Sequence, residues 1–408
     1  MHLTTSRNEG ALRPLVLLIA GNVLFATGLS FHGFLYNFYL EALGHAEGVM
    51  GQAAAALTLG GLASLLPAGW LTDRAGPRAA LVLAGLVVTA GLAAGALTEH
   101  RLPVYLAAVA AGIGFGLWRV AVAPALMRLA SPAQRPRAFA WNVGLLVTMG
   151  GVWIALAGSV PDWLVSGLGL GRLPAMRVAL WLGAAGSALS SVLFALMPPL
   201  PPAGREAAPA SGGPRPVLAV LPIVACVWLW MLGPALAAPF LNLFFARRFV
   251  LSVGHVGLIF AGANLLWGAL VFPSGDLAAR VGRVRLLTGA LAVFAPAMWG
   301  LSLASSAGLA VGLFLLQGAV SPLTNPLIDQ LLLERVAPAR HGVVSSWRNA
   351  AADLSAMVGA SLGGRLLAGA GFPALTAWAG TVGLAGAVAL ALALRMAPPV
   401  SAPSAAGR

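Results

Sequence analysis

Three charged side chains fall well inside long apolar stretches of this sequence: Arg119, Asp329 and Asp353, out of 24 basic and 11 acidic residues in 408. A charge at the centre of an apolar helix costs about 2.5–3.5 kcal/mol on insertion scales, so each position demands a compensating role. Asn325 lies one helical turn before Asp329, on the same face, and a half-chain repeat pairs Arg119 with Asn325. This arrangement suits an ion pair between Arg119 and Asp329 across a cavity, or an anion site at Arg119. A structural ion pair or a gate is the alternative, since Asp329 lies near the end of its stretch. Asp353 has no cation at i±3 or i±4; Arg348 is five residues back and Asn349 four. An apolar setting makes an ionised carboxyl costly, which suits a proton carrier unless Asn349 satisfies it by hydrogen bonding. His32, Tyr36 and Asn37 add polar groups to the outer half of the first stretch, as anchors for a bound molecule or as packing groups. Trp228 and Trp230 are packing or interfacial residues, or a stacking wall.

A second pattern combines charge with glycine. Residues 69–78 read G-W-L-T-D-R-A-G-P-R, and residues 275–283 read G-D-L-A-A-R-V-G-R, 206 positions later. Gly69, Gly76, Gly275 and Gly282 punctuate the two loops, while Asp73, Arg74, Arg78, Arg280 and Arg283 charge them. Gly69 suits close helix approach, and Asp73 suits a helix amino terminus. Arg74 and Arg78 suit pairing with acids or with anionic headgroups. Position 279 is alanine where the repeat would place the partner of Asp73. At the same offset Pro67 meets Pro273, Gly48 meets Gly254, Gly112 meets Gly318 and Trp141 meets Trp347. Two copies of one unit are fused, each half the chain long.

The elements that position these groups are apolar helices. The chain is 59% hydrophobic and 9% charged, far from the roughly 25% charged content of soluble domains. Stretches of about 20 apolar residues or more, enough to cross a bilayer, lie near 14–40, 49–71, 79–98, 102–127, 138–160 and 174–197. Six more lie near 217–245, 253–273, 285–305, 307–333, 342–367 and 372–395. Six helices per copy make the copies parallel, related by an axis along the membrane normal. The expected organisation is an amino-terminal six-helix bundle (1–197), a Pro/Gly/Ala-rich cytoplasmic linker (198–216), a second bundle (217–397) and a disordered tail (398–408). The first stretch runs 27 residues, beyond the 7–15 of a signal-peptide core, and is expected to stay as a helix. Helix 7 carries Pro222, Gly233-Pro234 and Pro239, each proline removing a backbone hydrogen bond. The freed carbonyls open onto a cavity, or the break is only a kink.

The net charge of +13 has a topological cause. With the amino terminus inside, 17 of the 24 arginines fall on the cytoplasmic side, which places both termini there. Nucleic acid is excluded as a partner by this distribution. The sequence contains no lysine, so a phosphate-binding G-x-x-x-x-G-K-[ST] loop is excluded as well. Cys226 is the lone cysteine, no metal cluster is visible, and scattered histidines and acids supply no intramembrane enzyme.

The loop at 69–78, with its degenerate copy at 275–283, resembles the signature of the major facilitator superfamily, and the resemblance spans the whole chain. It implies an all-α membrane protein with twelve transmembrane helices in two parallel six-helix repeats. It further implies a secondary transporter of the inner membrane, rocking two bundles about a midplane site, without cofactor and as a monomer among membrane lipids. Helices 4 and 10 would line a central cavity, which places Arg119, Asn325 and Asp329 there, with His32 and Asn37 on helix 1. The loops would form a cytoplasmic gate. Two family patterns are weak, since Ala108 stands where an arginine is usual and Val152 follows Gly150-Gly151 where Gly-Pro is usual. Mostly apolar cavity helices point to proton-coupled export of a small amphipathic compound. Uptake of a polar or anionic nutrient through Arg119 is the alternative.

Overall fold

The computed structural model describes residues 3–200, 220–336 and 340–396, with side chains from residue 13 onward. Every regular element among them is helical. Ten helices are long and apolar enough to cross a membrane, and two of these hold two crossings each. Glu47–Leu97 runs 51 residues and breaks at Gly76 (φ 83°, ψ 158°). His341–Met396 runs 56 residues and breaks at Gly371 (φ 76°, ψ −179°). Dividing both gives twelve spans: α1 (Leu3–Ala42), α2 (47–75), α3 (77–97), α4 (Arg101–Leu129), α5 (Arg135–Leu168), α6 (Arg172–Leu196), α7 (Leu221–Phe249), α8 (Val253–Val271), α9 (Arg283–Leu303), α10 (Ala307–Leu333), α11 (341–370) and α12 (372–396). The expected linker lies outside the described residues from 201 onward, and so does the expected tail.

The backbone itself repeats. Gly76 and Gly282 both have positive φ, 83° and 94°, and each precedes a helix, starting at Pro77 and Arg283. Glycine recurs there because a side chain with a Cβ adopts that conformation only at a cost. Gly44 (φ 80°) and Val250 (φ 54°) form a second such pair, again 206 positions apart. Here the second copy lacks the glycine.

Helices in lipid gain little from burying apolar surface against one another, so close packing through small residues matters more. A Cβ on Gly112 of α4 would fall 1.9 Å from the Leu57 carbonyl oxygen of α2, and one on Gly114 would fall 2.5 Å from the Val88 nitrogen of α3. Two successive faces of α4 therefore press on two neighbouring backbones. Large side chains then fill the remaining core of this bundle, with Leu18, Phe25 and Phe194 fully buried.

The chain forms two compact units. The described residues of 1–206 and of 239–268 make the first, and those of 207–238 and 269–408 make the second. Residues 239–268 belong to the second copy by sequence, yet they pack with the first. The span α7 is thus divided between the units. Its first part, Leu221–Ala237, carries Pro234, a 3-10 turn follows at Ala238–Phe240, and Leu241–Phe249 completes it.

Candidate functional site

Within the first unit, we call the end that holds the turns at 43–46, 98–100 and 169–171 distal, and the end that holds 72–78 proximal. At the distal end α7 and α8 are fastened to α1, α2 and α5. The Leu243 amide, which a continuous helix would direct to the Pro239 carbonyl, instead donates to Asn242 Oδ1 at 2.9 Å. The Pro239 carbonyl then accepts from Asn37 Nδ2 of α1 at 2.5 Å. In return Asn242 Nδ2 donates to the Phe34 carbonyl of α1 at 2.7 Å. Asn37 and Asn242 are 205 positions apart, as are Phe34 and Pro239, so the two bonds are reciprocal. Freed carbonyls in an apolar medium need partners, and here a neighbouring helix supplies one. Asn37, expected at a substrate cavity, is spent on this bond.

Four residues beyond the clamp, Arg247 Nε donates to Glu41 of α1 at 2.7 Å and its Nη1 to Glu47 of α2 at 2.5 Å. Positions 41 and 247 are again 206 apart. Asp162 of α5 accepts from the Gly254 amide at 3.0 Å, which sets a carboxylate at the amino end of α8. A Cβ on Gly254 would fall 2.7 Å from that carboxylate oxygen, so glycine is needed for the contact. Phe34 meets Phe260 edge-on at 5.7 Å between ring centroids. A cavity of about 940 Å³ opens beside this cluster, bounded by Glu41, Asp162, Arg172, Arg247 and Ser252.

Deeper in the same unit, three spans meet through polar side chains that sequence reasoning passed over. Trp118 Nε1 of α4 donates to Asn22 Oδ1 of α1 at 2.9 Å, and Asn22 Nδ2 donates to Asn142 Oδ1 of α5 at 2.7 Å. Phe25 stacks on Trp118 at 4.9 Å with the rings 9° from parallel. Asn22 is fully buried and Asn142 is 5% exposed. The Arg119 guanidinium lies 6.0 Å from the centroid of the Phe115 ring, and His32 stacks on Tyr36 at 3.9 Å.

In the second unit, Asp329 of α10 finds its cation on α11, with Arg348 Nε 2.9 Å from Oδ1. The approach is close, yet that nitrogen makes no aligned hydrogen bond, so the contact is chiefly one of charge. Asn325 and Asp353 are half-buried on α10 and α11. Ser355, two residues after Asp353, donates to the Trp228 carbonyl at 2.7 Å. That bond ties α11 to the first part of α7.

The two signature loops are held differently. In the first, Arg78 Nη2 donates to the Ala195 carbonyl at 2.5 Å, joining the start of α3 to the end of α6, and Arg74 lies 4.8 Å over the Trp70 ring. Asp73 is exposed and makes no hydrogen bond or ion pair among the described residues. The physical reason is that α2 stays helical through residue 75, which leaves Asp73 on a helix surface rather than at an amino-terminal cap. A Cβ on Gly69 or on Gly275 would meet nothing within 4 Å, so the close helix approach expected at Gly69 is absent. In the second loop Arg283 pairs with Glu334 at 2.5 Å, while Arg280 is exposed.

No group of three or more His, Cys, Asp or Glu is placed to hold a metal ion among the described residues. No curated protein matches the chain. Solved structures do. The nucleoside transporter NupG aligns over 95% of this chain and 99% of its own, with TM-score 0.74 and 12% identity. A D-xylose-proton symporter aligns over 95% and 98%, with TM-score 0.74 and 16% identity. A bacterial homologue of the iron transporter ferroportin aligns over 94% and 99%, with TM-score 0.73 and 15% identity. Identities this low establish a shared fold and nothing of a shared substrate. The family model of the Major Facilitator Superfamily matches residues 18–235 and 223–408. Twelve spans in two copies, the paired signature loops and that match over both halves lead to one conclusion: the chain belongs to the Major Facilitator Superfamily and is a multi-pass membrane transporter, not an enzyme.

Proposed function

We propose that the protein is a secondary active transporter working by alternating access, exporting a small amphipathic compound in exchange for protons. It would act as a monomer in the inner membrane with both termini cytoplasmic, the orientation favoured by the arginine excess. The observation that carries this reading is the division of α7 between two compact units at a proline-containing 3-10 turn. Such a helix gives the units a joint, and the contacts of Asn37, Asn242, Arg247 and Asp162 form a distal gate that holds or releases one side of it. The loops at 69–78 and 275–283 form the cytoplasmic gate. Spans that are mostly apolar favour an amphipathic compound over a highly polar one. Proton coupling is supported by Asp353 inside α11 and by the existence of a proton symporter among similarly folded proteins.

Purified protein in liposomes with an imposed pH gradient, offered a panel of fluorescent amphipathic dyes, tests the reading. Dye accumulation is expected that collapses with a protonophore. Asp353→Asn should abolish accumulation while leaving exchange of dye for dye; unchanged accumulation moves the proton to Asp329. Accumulation of no dye, or accumulation indifferent to the gradient, overturns the proposal. Asp73→Asn should slow transport by about tenfold, a loss near 1.4 kcal/mol in the barrier, and more than Ala279→Asp does. Arg119 inside α4 favours a second reading, uptake of an anionic nutrient, which preferential transport of anionic solutes would support.

A further inference from the structure

The hydrogen-bonded chain of Trp118, Asn22 and Asn142 has a direction. An indole N–H donates and never accepts, so the oxygen of the Asn22 amide must face Trp118. The Asn22 nitrogen then faces Asn142, which must offer its own oxygen. The outcome is an Asn142 amide whose nitrogen points away from the relay with its N–H groups unspent. Asn142 makes no other hydrogen bond among the described residues, and its nitrogen is absent from the sealed, partnerless polar atoms, which include Thr27 Oγ1 and Ser191 Oγ. Its nitrogen therefore keeps a little accessible surface of its own, although the residue is only 5% exposed. Its sequence neighbours Trp141 and Val143 are 64% and 55% exposed, so the outward faces of α5 lie on either side of it while Asn142 itself turns toward α1. An amide held at such a depth with donors to spare costs stability unless something uses them.

We propose that Asn142 is a ligand-contacting hydrogen-bond donor and that its site takes a compound bearing an acceptor, a carbonyl or a ring nitrogen, on an apolar frame. Trp118 and Asn22 are positioning residues: they fix which end of the Asn142 amide is presented. The Phe25 ring stacked against Trp118 keeps the indole from turning and releasing the relay. A compound offering only a donor would meet a second donor and leave both unpaired, so the site discriminates by hydrogen-bond sense rather than by size. This goes beyond transport, because it names a contact and a ligand chemistry that the fold does not supply.

Quinoline and indole make a matched test, being uncharged bicyclic rings at neutral pH, one with an acceptor nitrogen and the other with a donor N–H. Equilibrium dialysis of each against the purified full-length protein is expected to show quinoline bound about fivefold more tightly, the worth of one neutral hydrogen bond. Trp118→Phe keeps an aromatic ring but frees the Asn22 amide to rotate, so the preference should fall toward one while the protein stays folded. Asn142→Asp presents only oxygens and should remove or reverse the preference; should that variant fail to fold, Trp118→Phe decides. A merely structural relay would change thermal stability and leave the ratio untouched. Equal binding of the two rings, absence of quinoline binding, or a preference that survives Trp118→Phe overturns the proposal. Quinoline that binds but is never transported would count against the export reading and leave this one standing.

Discussion

At the distal end of the first unit Arg247 is shared between two carboxylates on two other spans, Glu41 and Glu47, whereas at the proximal end Arg78 reaches a backbone carbonyl and Asp73 engages nothing described. Both ends contain repeat-related positions, yet they use them in opposite ways. At the signature loops the two copies keep like residues, Gly76 with Gly282 and Arg74 with Arg280. At the distal end the copies carry unlike ones, Glu41 with Arg247. Two repeat-related positions that touch cannot both be acidic or both basic without repulsion, so an ionic contact between them requires the copies to diverge. An asparagine that donates to a backbone carbonyl has no such conflict, since every residue carries the carbonyl. Asn37 and Asn242, one residue out of the 206 register, carry the same side chain and bond reciprocally to the other's helix. Divergence marks the side-chain contact of Glu41 with Arg247, whereas the identical asparagines bond only to backbone.

The largest break in this comparison comes from Arg247→Met. It leaves Glu41 and Glu47 facing one another without their shared cation, which costs more than losing a single surface pair. Because these side chains are about a third exposed or less, a loss of about 2 kcal/mol is expected rather than the larger figure for a sealed pair. Thermal unfolding in detergent, together with faster labelling of a cysteine placed at Phe249, reads the effect. The charge swap Glu41→Arg with Arg247→Glu should recover part of it, since Glu47 remains to oppose the new acid. A swap no better than Arg247→Met would show that positions 41 and 247 are not directly coupled.

The asparagine clamp gives the next effect. Asn37→Leu and Asn242→Leu should each cost about 1 kcal/mol, the net worth of a hydrogen bond plus a partly orphaned carbonyl. The two bonds fix the same pair of helices, so the double variant should lose less than the sum of the singles. Strict additivity in a double-mutant cycle would mean that the bonds act independently and that the reciprocity is without energetic consequence.

The twelve spans, the half-chain repeat and the turn glycines were legible in the sequence, because hydropathy and the need for positive φ leave direct marks on residue type. The distal fastening was not. A search for identical residues at a fixed offset passes over Glu41 and Arg247, where the signal of contact is a change of sign. Their positions at span ends also let each pass for an ordinary loop charge. The relay of Asn22, Trp118 and Asn142 was hidden for another reason: each is a single polar or aromatic residue on its own span, and only packing brings the three together. Asp329 illustrates the converse. Its type and apolar setting mark it as a costly charge, but its partner Arg348 stands in the sequence only as a neighbour of Asp353, since spacing along one helix says nothing of which residue faces it from the next.

The smallest effect, and the sharpest for the comparison, lies in the turns before α2 and α8. Gly44 and Val250 occupy equivalent positions and both adopt positive φ, but valine is β-branched and does so at a cost of roughly 1–2 kcal/mol. Val250 is 88% exposed, so removing its side chain forfeits little packing. Val250→Gly should therefore stabilise the protein by about 0.5 kcal/mol, the relief of strain being largely offset by the greater freedom of glycine in the unfolded chain. Gly44→Val should do the opposite, and for conformational reasons alone, since a Cβ at Gly44 would meet nothing within 4 Å. Both follow from the shift in unfolding temperature in one detergent. If the two substitutions move it in the same direction, the strain at Val250 is not what separates the turns. If Val250→Gly stabilises the fold yet slows transport, the strain belongs to the gate, because Val250 sits three residues beyond Arg247 and a relaxed turn would hold the distal fastening closed for longer.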